Sequence, residues 1–227
     1  MRVKNSFEDL RKKFREFYVV VRDGHEQSKR AHRGHGLDHD VTVAQIAVMI
    51  APDERTAEKA WCAAMLHSTD RLVEKGNKEK EEAHMRANLK SLPERYFTSE
   101  EKEEIFLSAY RHEELNQDDQ SVTQHVLMDA DRLANLMPAV IIRAGQLLSD
   151  IPALELEYLE GKRNPKTTYH EPKSVLDDLR NNVAEYTPKL RMPKAKELAM
   201  KYVKRLDYFI KSLERSYEEL DLVGISL

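Results

Sequence analysis

The chain has 227 residues, of which 34% are charged and 41% hydrophobic, and its formal net charge is −3. This length supports one sizeable core or two small domains, and the charge balance excludes a general electrostatic attraction to nucleic acid or anionic lipid. The single cysteine, Cys62, excludes an intrachain disulfide framework, and the first residues, MRVKNSFEDLRKKF, lack the apolar run of a signal peptide or membrane span. We therefore expect a cytoplasmic protein.

Apolar residues recur at spacings of three and four along most of the chain, which contains only seven glycines and eight prolines. This periodicity predicts an all-α protein. Ser6 is placed to cap a first helix with an apolar face formed by Phe7, Leu10, Phe14 and Phe17. A second helix begins near Leu37, and His39 shares the inward face of that helix with Val43, Ile46, Ala47 and Ile50.

Capping residues mark further helix starts at Pro52-Asp53, Thr98-Ser-Glu-Glu101 and Ser121. Pro138 interrupts or restarts a helix, and Pro193 is acceptable in the first turn of the last one. We predict a single compact helical domain over residues 1–227. Within it, residues 151–192 form a helical or loop insertion without a separate core, and residues 193–220 form a closing helix.

Several polar residues stand beside or within apolar segments, where they are costly unless they are paired or bind a metal. Imidazole and carboxylate groups together suit zinc, iron, manganese or nickel. A helical bundle can bring such residues from different helices together in its core. The candidate ligands are His39, His67, His84, His112 and Asp131.

In this order the residues resemble the HD-domain superfamily of metal-dependent phosphohydrolases. The resemblance rests on HGLDH at His39, on AAMLHSTDR at His67, and on DADRL, where Asp131 precedes Arg-Leu and is preferred to Asp129. The C-terminal segment LRMPKAKELAMKYVKRLDYFIKSLERSYEEL is similar to the closing helix of small HD proteins, so the likeness covers nearly the whole chain. It implies an HD-type bundle with a metal site in its core, and in the two-metal branch His84 and His112 match two additional histidines.

The chain departs from the family pattern at Ser68, which stands where the family carries the Asp of its His-Asp pair. In two-metal relatives that Asp bridges the ions, and serine brings no negative charge. Asp70, three residues after His67, either supplies the missing carboxylate as a catalytic residue or is a helix-end acid paired with Arg71.

The resemblance implies a phosphohydrolase that acts on a phosphate ester, with a nucleotide as one candidate, and that uses one or two divalent transition-metal ions (Fe, Mn, Zn or Ni). His35 is a candidate for binding the substrate anion, whereas His25 reads as a surface residue. A di-iron oxygenase of the HD type and a catalytically degenerate HD module for ligand binding or interaction are the alternatives. We expect a small-molecule phosphate substrate, no nucleic-acid or membrane partner, and an oligomer as one option for assembly.

Overall fold

A computed structural model describes residues 6–28, 36–73, 76–168 and 170–226. These segments contain ten α-helices, three short 3₁₀ helices and no β-strand, which confirms the predicted all-α class. The α-helices are α1 (Phe7–Lys13), α2 (Arg15–Gln27), α3 (Leu37–Ile50), α4 (Glu54–Leu66), α5 (Lys78–Leu89), α6 (Ser99–Tyr110), α7 (Val122–Ala134), α8 (Ala139–Leu147), α9 (Val175–Tyr186) and α10 (Pro193–Glu218). The 3₁₀ helices are Thr69–Leu72, Leu156–Tyr158 and Thr187–Lys189. None of the described helices is both long and apolar enough to cross a membrane.

Short polar side chains start several of these helices, as predicted. Ser6 forms a capping box at α1, and Thr98 forms another with Glu101 at α6. The Ser121 hydroxyl accepts a hydrogen bond from the backbone N–H of Gln124 at 3.1 Å, which caps α7. These bonds satisfy backbone donors that have no partner within their own helix.

The prediction of one long first helix was wrong, because the chain breaks at Phe14. This residue has φ −108° and ψ 38° and separates α1 from α2. Its ring is fully buried, and it packs against Trp61, Tyr96 and Phe97 with centroid distances of 5.8, 5.4 and 5.3 Å. A break at this position lets both short helices direct apolar residues at the same aromatic cluster.

The chain clusters into two compact units. Unit 1 consists of residues 1–131 and 191–195, and unit 2 consists of residues 132–190 and 196–227. The predicted organisation, with a single domain over 1–227, an insertion at 151–192 and a closing helix at 193–220, stays a prediction.

In unit 1, α3 and α4 form the most extensive helix pair, and α4 also packs against α6. Both α3 and α4 are buried along most of their length, and small residues on α4 (Ala57, Ala60, Ala63 and Ala64) allow close approach. Trp61 fills the space beside the aromatic residues of α1 and α2. The candidate ligands His39 and His67 lie at the beginning of α3 and at the end of α4.

Unit 2 has its own apolar cluster, contributed by α8, α9, α10 and the segment before α9. Its buried members are Val140, Ala144, Leu159, Leu176, Leu179, Leu206 and Ile210. Three of these residues, Leu159, Leu176 and Leu179, fall within the segment 151–192. Arg180 on α9 pairs with Glu214 on α10 and donates to the carbonyl oxygens of Tyr158 and Lys162, so one side chain ties both helices to the intervening loop.

Candidate metal centre

His39, His67 and Asp131 meet at one point in unit 1, although 92 positions separate the first from the last. The Nε2 atoms of the two histidines are 3.3 Å apart. Asp131 Oδ1 lies 3.1 Å from His39 Nε2. Each residue offers one ligand atom, and the three atoms all lie within 4.8 Å of one another. The predicted triad is thus brought together by three helices, α3, α4 and α7.

The separations fit a shared metal ion. Two ligands roughly 2.1 Å from one ion at a tetrahedral angle lie about 3.4 Å apart. The observed values of 3.3 and 3.1 Å are close to that distance. Two imidazoles and one carboxylate are a donor set that zinc, iron, manganese and nickel all accept. Both histidines are buried, and the Asp131 side chain retains 24% of its exposure, which leaves the cluster a face toward solvent.

Backbone carbonyls set the tautomer of two imidazoles in this region. His67 Nδ1 lies 2.5 Å from the carbonyl oxygen of Ala64, and His112 Nδ1 lies 2.6 Å from that of Ala109. Because a carbonyl oxygen only accepts hydrogen bonds, each Nδ1 carries the proton and donates it. In the neutral ring the Nε2 lone pair is then available, which is the form that binds a metal.

The electrostatics of the triad favour that form. Burial lowers the pKa of His67 to about 4, helped by the neighbouring His112 and His39 and opposed by Asp40 and Asp131. His67 therefore stays neutral at pH 7. Burial raises the pKa of Asp131, but the hydrogen bond with His39 and the nearby imidazoles outweigh it and hold that pKa well below the usual value. The triad thus presents a neutral imidazole and an ionised carboxylate, as ligation requires.

Ser68, the departure from the family pattern, lies directly at the triad. Its side chain is 1% exposed, and its hydroxyl oxygen is 3.2 Å from His67 Nε2. A hydroxyl can approach a ligand atom closely without adding charge. The Ser68 side chain therefore lies beside a ligand atom of the triad and brings no negative charge there.

Of the two additional histidines predicted as ligands, His112 lies beside the triad. The His112 ring is 5.0 Å from the His67 ring, edge to face. His84 Nε2 is buried and without a hydrogen-bond partner among the described residues, and burial lowers the pKa of His84, with Asp70 opposing. Among the described residues, the only group with metal-binding geometry is the triad, so His84 and His112 as ligands of a second ion stay a prediction.

Asp70 lies in the 3₁₀ helix that follows His67, not on a continuation of α4. Burial raises the pKa of Asp70, although the charges of Arg71 and His112 act against it. Arg71 donates a hydrogen bond to Glu113 at 2.7 Å, whereas the sequence suggested Asp70 as its partner. Glu113 Oε1 is 3.9 Å from His112 Nε2, beyond hydrogen-bond length, and its side chain is 70% exposed.

Asp129 and Asp131 have separate roles, as their spacing of two residues on α7 required. Asp129 is fully buried, and its Oδ2 accepts hydrogen bonds from the backbone N–H groups of Arg191 and Met192, both at 2.7 Å. It orients the segment that precedes α10, whereas Asp131 faces the two histidines. The choice of Asp131 as the candidate ligand agrees with this geometry.

Two functional candidates escaped the sequence reasoning. Asp40, next to His39, is fully buried, and its Oδ1 lies 3.7 Å from His67 Nδ1. His25, expected at the surface, is only 4% exposed, and its Nε2 lies 2.9 Å from Asp40 Oδ2. The error arose because α2 extends to Gln27 and buries His25 in its last turn. A usable signal was present in the near-continuous apolar run after Asp40, which marks α3 as a helix buried on several sides. His35, the candidate for substrate binding, lies outside the described residues.

The comparisons agree with this architecture. Residues 36–136, which include the whole triad, match the family model of the HD domain. The fold is similar to the crystal structure of a Lactobacillus plantarum protein that was a Northeast Structural Genomics target, with a TM-score of 0.64. Identity to that protein is 17%, and the match covers 89% of this chain and 97% of the other. A search of curated proteins found no match.

An HD domain together with a His-His-Asp cluster is typical of the superfamily of metal-dependent phosphohydrolase type. The match to the family model assigns residues 36–136 to the HD-domain superfamily. The triad residues His39, His67 and Asp131 are those on which the resemblance to this superfamily rests. Ser68 stands where the family pattern has the Asp of its His-Asp pair.

Proposed function

We propose that this protein hydrolyses a small phosphate ester, with a nucleotide as one candidate, at a divalent metal site formed by His39, His67 and Asp131. The convergence of these three side chains is the observation that carries the proposal. When bound, a divalent ion supplies Lewis-acid polarisation of a phosphoryl oxygen and lowers the pKa of water. Iron, manganese, zinc and nickel all suit the donor set.

The protein groups have complementary tasks in this proposal. His67 enters as a neutral ligand with a fixed tautomer, and Asp131 contributes the negative charge that the triad otherwise lacks. Asp70 is assigned proton transfer because burial raises its pKa and lets it hold a proton at a higher pH than an exposed acid does. His84 and His112, both near Asp70, provide imidazoles for a second ion or for the substrate phosphate.

A degenerate, non-catalytic domain is the second candidate, and Ser68 is the observation that favours it. A bridging anion offsets the repulsion between two cations, and the buried serine hydroxyl brings no charge to that position. Such a protein would keep one ion, or none, and act as a ligand-binding or interaction module.

Elemental analysis combined with a turnover screen separates the candidates. The purified protein would be assayed with p-nitrophenyl phosphate and with nucleoside monophosphates, in the presence of manganese, iron, zinc or nickel. Bound metal with phosphate release supports the hydrolase. Two irons with oxygen uptake would instead indicate the oxygenase, and neither metal nor turnover would indicate the module.

The number of ions is tested with His84→Ala and His112→Ala beside the parent. If the two histidines form a second site, each variant loses one ion of two and keeps the triad ion. Retention of every ion in both variants would remove them from metal binding and leave roles in phosphate contact or structure.

A further inference from the structure

The carboxylate of Asp40 lies in the first turn of α3 and has no exposure at all. A charged group in the interior is costly unless it is paired or serves a function. His25 partners one oxygen, Oδ2, at 2.9 Å. The other oxygen, Oδ1, accepts no hydrogen bond from the described residues and is directed at His67 Nδ1 from 3.7 Å.

That distance is beyond a hydrogen bond, and the Nδ1 proton of His67 is already donated to the carbonyl oxygen of Ala64. Asp40 therefore acts on the ring through its charge. Ligation through Nε2 withdraws electron density from an imidazole and leaves the ring more positive. A negative charge close to the opposite nitrogen, in an interior of low dielectric, stabilises that state.

We propose that Asp40 is a positioning residue for the metal centre that stabilises the metal-bound His67 ring by its negative charge, and that His25 holds Asp40 in place. The contacts run from His25 on α2 through Asp40 on α3 to His67 at the end of α4, and neither His25 nor Asp40 belongs to the triad. The proposal rests on the metal site of the proposed function, and it needs no hydrolytic activity.

The geometry distinguishes support of the ligand His67 from a purely structural link between α2 and α3. A connection requires only the hydrogen bond between His25 and Asp40 Oδ2. The role toward the metal requires in addition the charge at Oδ1. Asp40→Asn retains the shape and much of the hydrogen bonding but removes the charge, so it tests the second requirement alone.

The experiment measures Zn²⁺ affinity by competition with a chromophoric chelator, together with the visible spectrum of the Co²⁺-loaded protein and the thermal unfolding of the metal-free form. For Asp40→Asn we expect a loss of Zn²⁺ affinity of at least about tenfold, in the range typical of groups that support metal ligands. The Co²⁺ spectrum should change as well. His25→Ala should lose affinity less, and His25→Gln, which keeps a donor, should recover part of that loss.

Glu58→Gln is the matched control. Glu58 is also a buried carboxylate of unit 1, but it pairs with Lys13 and Arg55 near the start of α4. Its variant should lower thermal stability and leave Zn²⁺ affinity unchanged. Asp40→Asn with lowered stability but parental affinity would overturn the proposal and leave Asp40 a structural residue.

If Asp40→Asn fails to fold, His25→Ala tests the proposal instead, because it keeps the Asp40 carboxylate and removes its hydrogen-bond partner. Parental Zn²⁺ affinity in His25→Ala would then overturn the proposal. A parent that binds no Zn²⁺ or Co²⁺ overturns it together with the metal site. A parent that binds metal but releases no phosphate overturns only the phosphohydrolase, and the affinities then still decide the role of Asp40.

Discussion

In unit 1 the ligand atoms of His39, His67 and Asp131 lie close together, whereas two buried asparagines of unit 2 bind neighbouring chain segments. Asn164 donates to the Glu155 carboxylate at 3.0 and 3.2 Å, and Asn181 donates to the carbonyl oxygen of Thr168 at 3.1 Å. Convergence of buried ionisable groups on a point is typical of a site, and dispersal into loop contacts is typical of structural support. The comparison therefore agrees with a candidate metal site in unit 1.

The largest effect is expected when one of the three converging ligands is removed. His67→Ala removes one of three ligands, and we expect metal affinity to fall by more than about 100-fold, because a two-ligand remnant holds an ion weakly. Metal per chain after dialysis is the measurement. His170→Ala, an exposed histidine of unit 2, should retain the parental stoichiometry. Unchanged metal content in His67→Ala would remove that residue from the site.

The second effect concerns pH and the metal-free protein. Since the folded pKa of His67 is about 4 and the unfolded value is 6.5, the unfolded chain binds the proton first as pH falls. Stability linked to His67 is thus present above pH 6.5 and decreases as pH falls from 6.5 to 4, by up to about 3 kcal/mol. Urea unfolding of the parent and of His67→Gln, with chelator present, should show a difference that changes across this window. His170→Gln should follow the parent, and a constant difference for His67→Gln would contradict the assignment.

The third prediction restores the family's acid. Ser68→Asp adds a carboxylate at a buried position beside His67, so it should destabilise the metal-free protein and raise metal affinity or occupancy, by about tenfold, when ions are present. Phosphatase activity should rise as well if a second ion is gained. Ser68→Asn, similar in size but neutral, is the control. If the aspartate variant folds and gains neither metal nor activity, the site has adapted to serine.

The smallest effect lies in unit 2. Asp177 on α9 is 2% exposed, its Oδ2 has no partner among the described residues, and burial together with Glu155 raises its pKa. For an acid with a raised folded pKa, stability is lost as pH rises through that pKa. Asp177→Asn should therefore stabilise the protein by about 1 kcal/mol at pH 7 and less at pH 4, without altering metal content. A variant that loses metal would show that the comparison between the units is too simple.

Much of the fold was predictable because its signals are local. Caps at Ser6 and Thr98 and the apolar spacing after His39 are read from a few neighbouring residues, and they gave the helix starts and the inward face of α3 correctly. The break at Phe14 was not predictable in this way. It depends on the aromatic partners Trp61 and Phe97, which are distant in sequence.

The candidate site shows the same division. His39, His67 and Asp131 were selected from their order and their apolar surroundings, and the structure brings them together. His25 and Asp40 were missed because their burial depends on how α2 packs, which no local pattern specifies. The Ser68 hydroxyl lies near His67 Nε2 in the structure. From the sequence, this nearness could be inferred only from the family position that Ser68 occupies.

The hydrogen bonds of Asp129 have a consequence for synthesis of the protein on the ribosome. Its two backbone donors, at Arg191 and Met192, emerge about sixty residues after α7, so unit 1 cannot be completed when its N-terminal portion first leaves the exit tunnel. At 5–20 residues per second the delay is roughly 3–12 s. During this interval the Asp129 carboxylate lacks these donors, and α7, which also carries Asp131, is not yet anchored. We expect the triad to reach its final arrangement only after most of the chain has been translated.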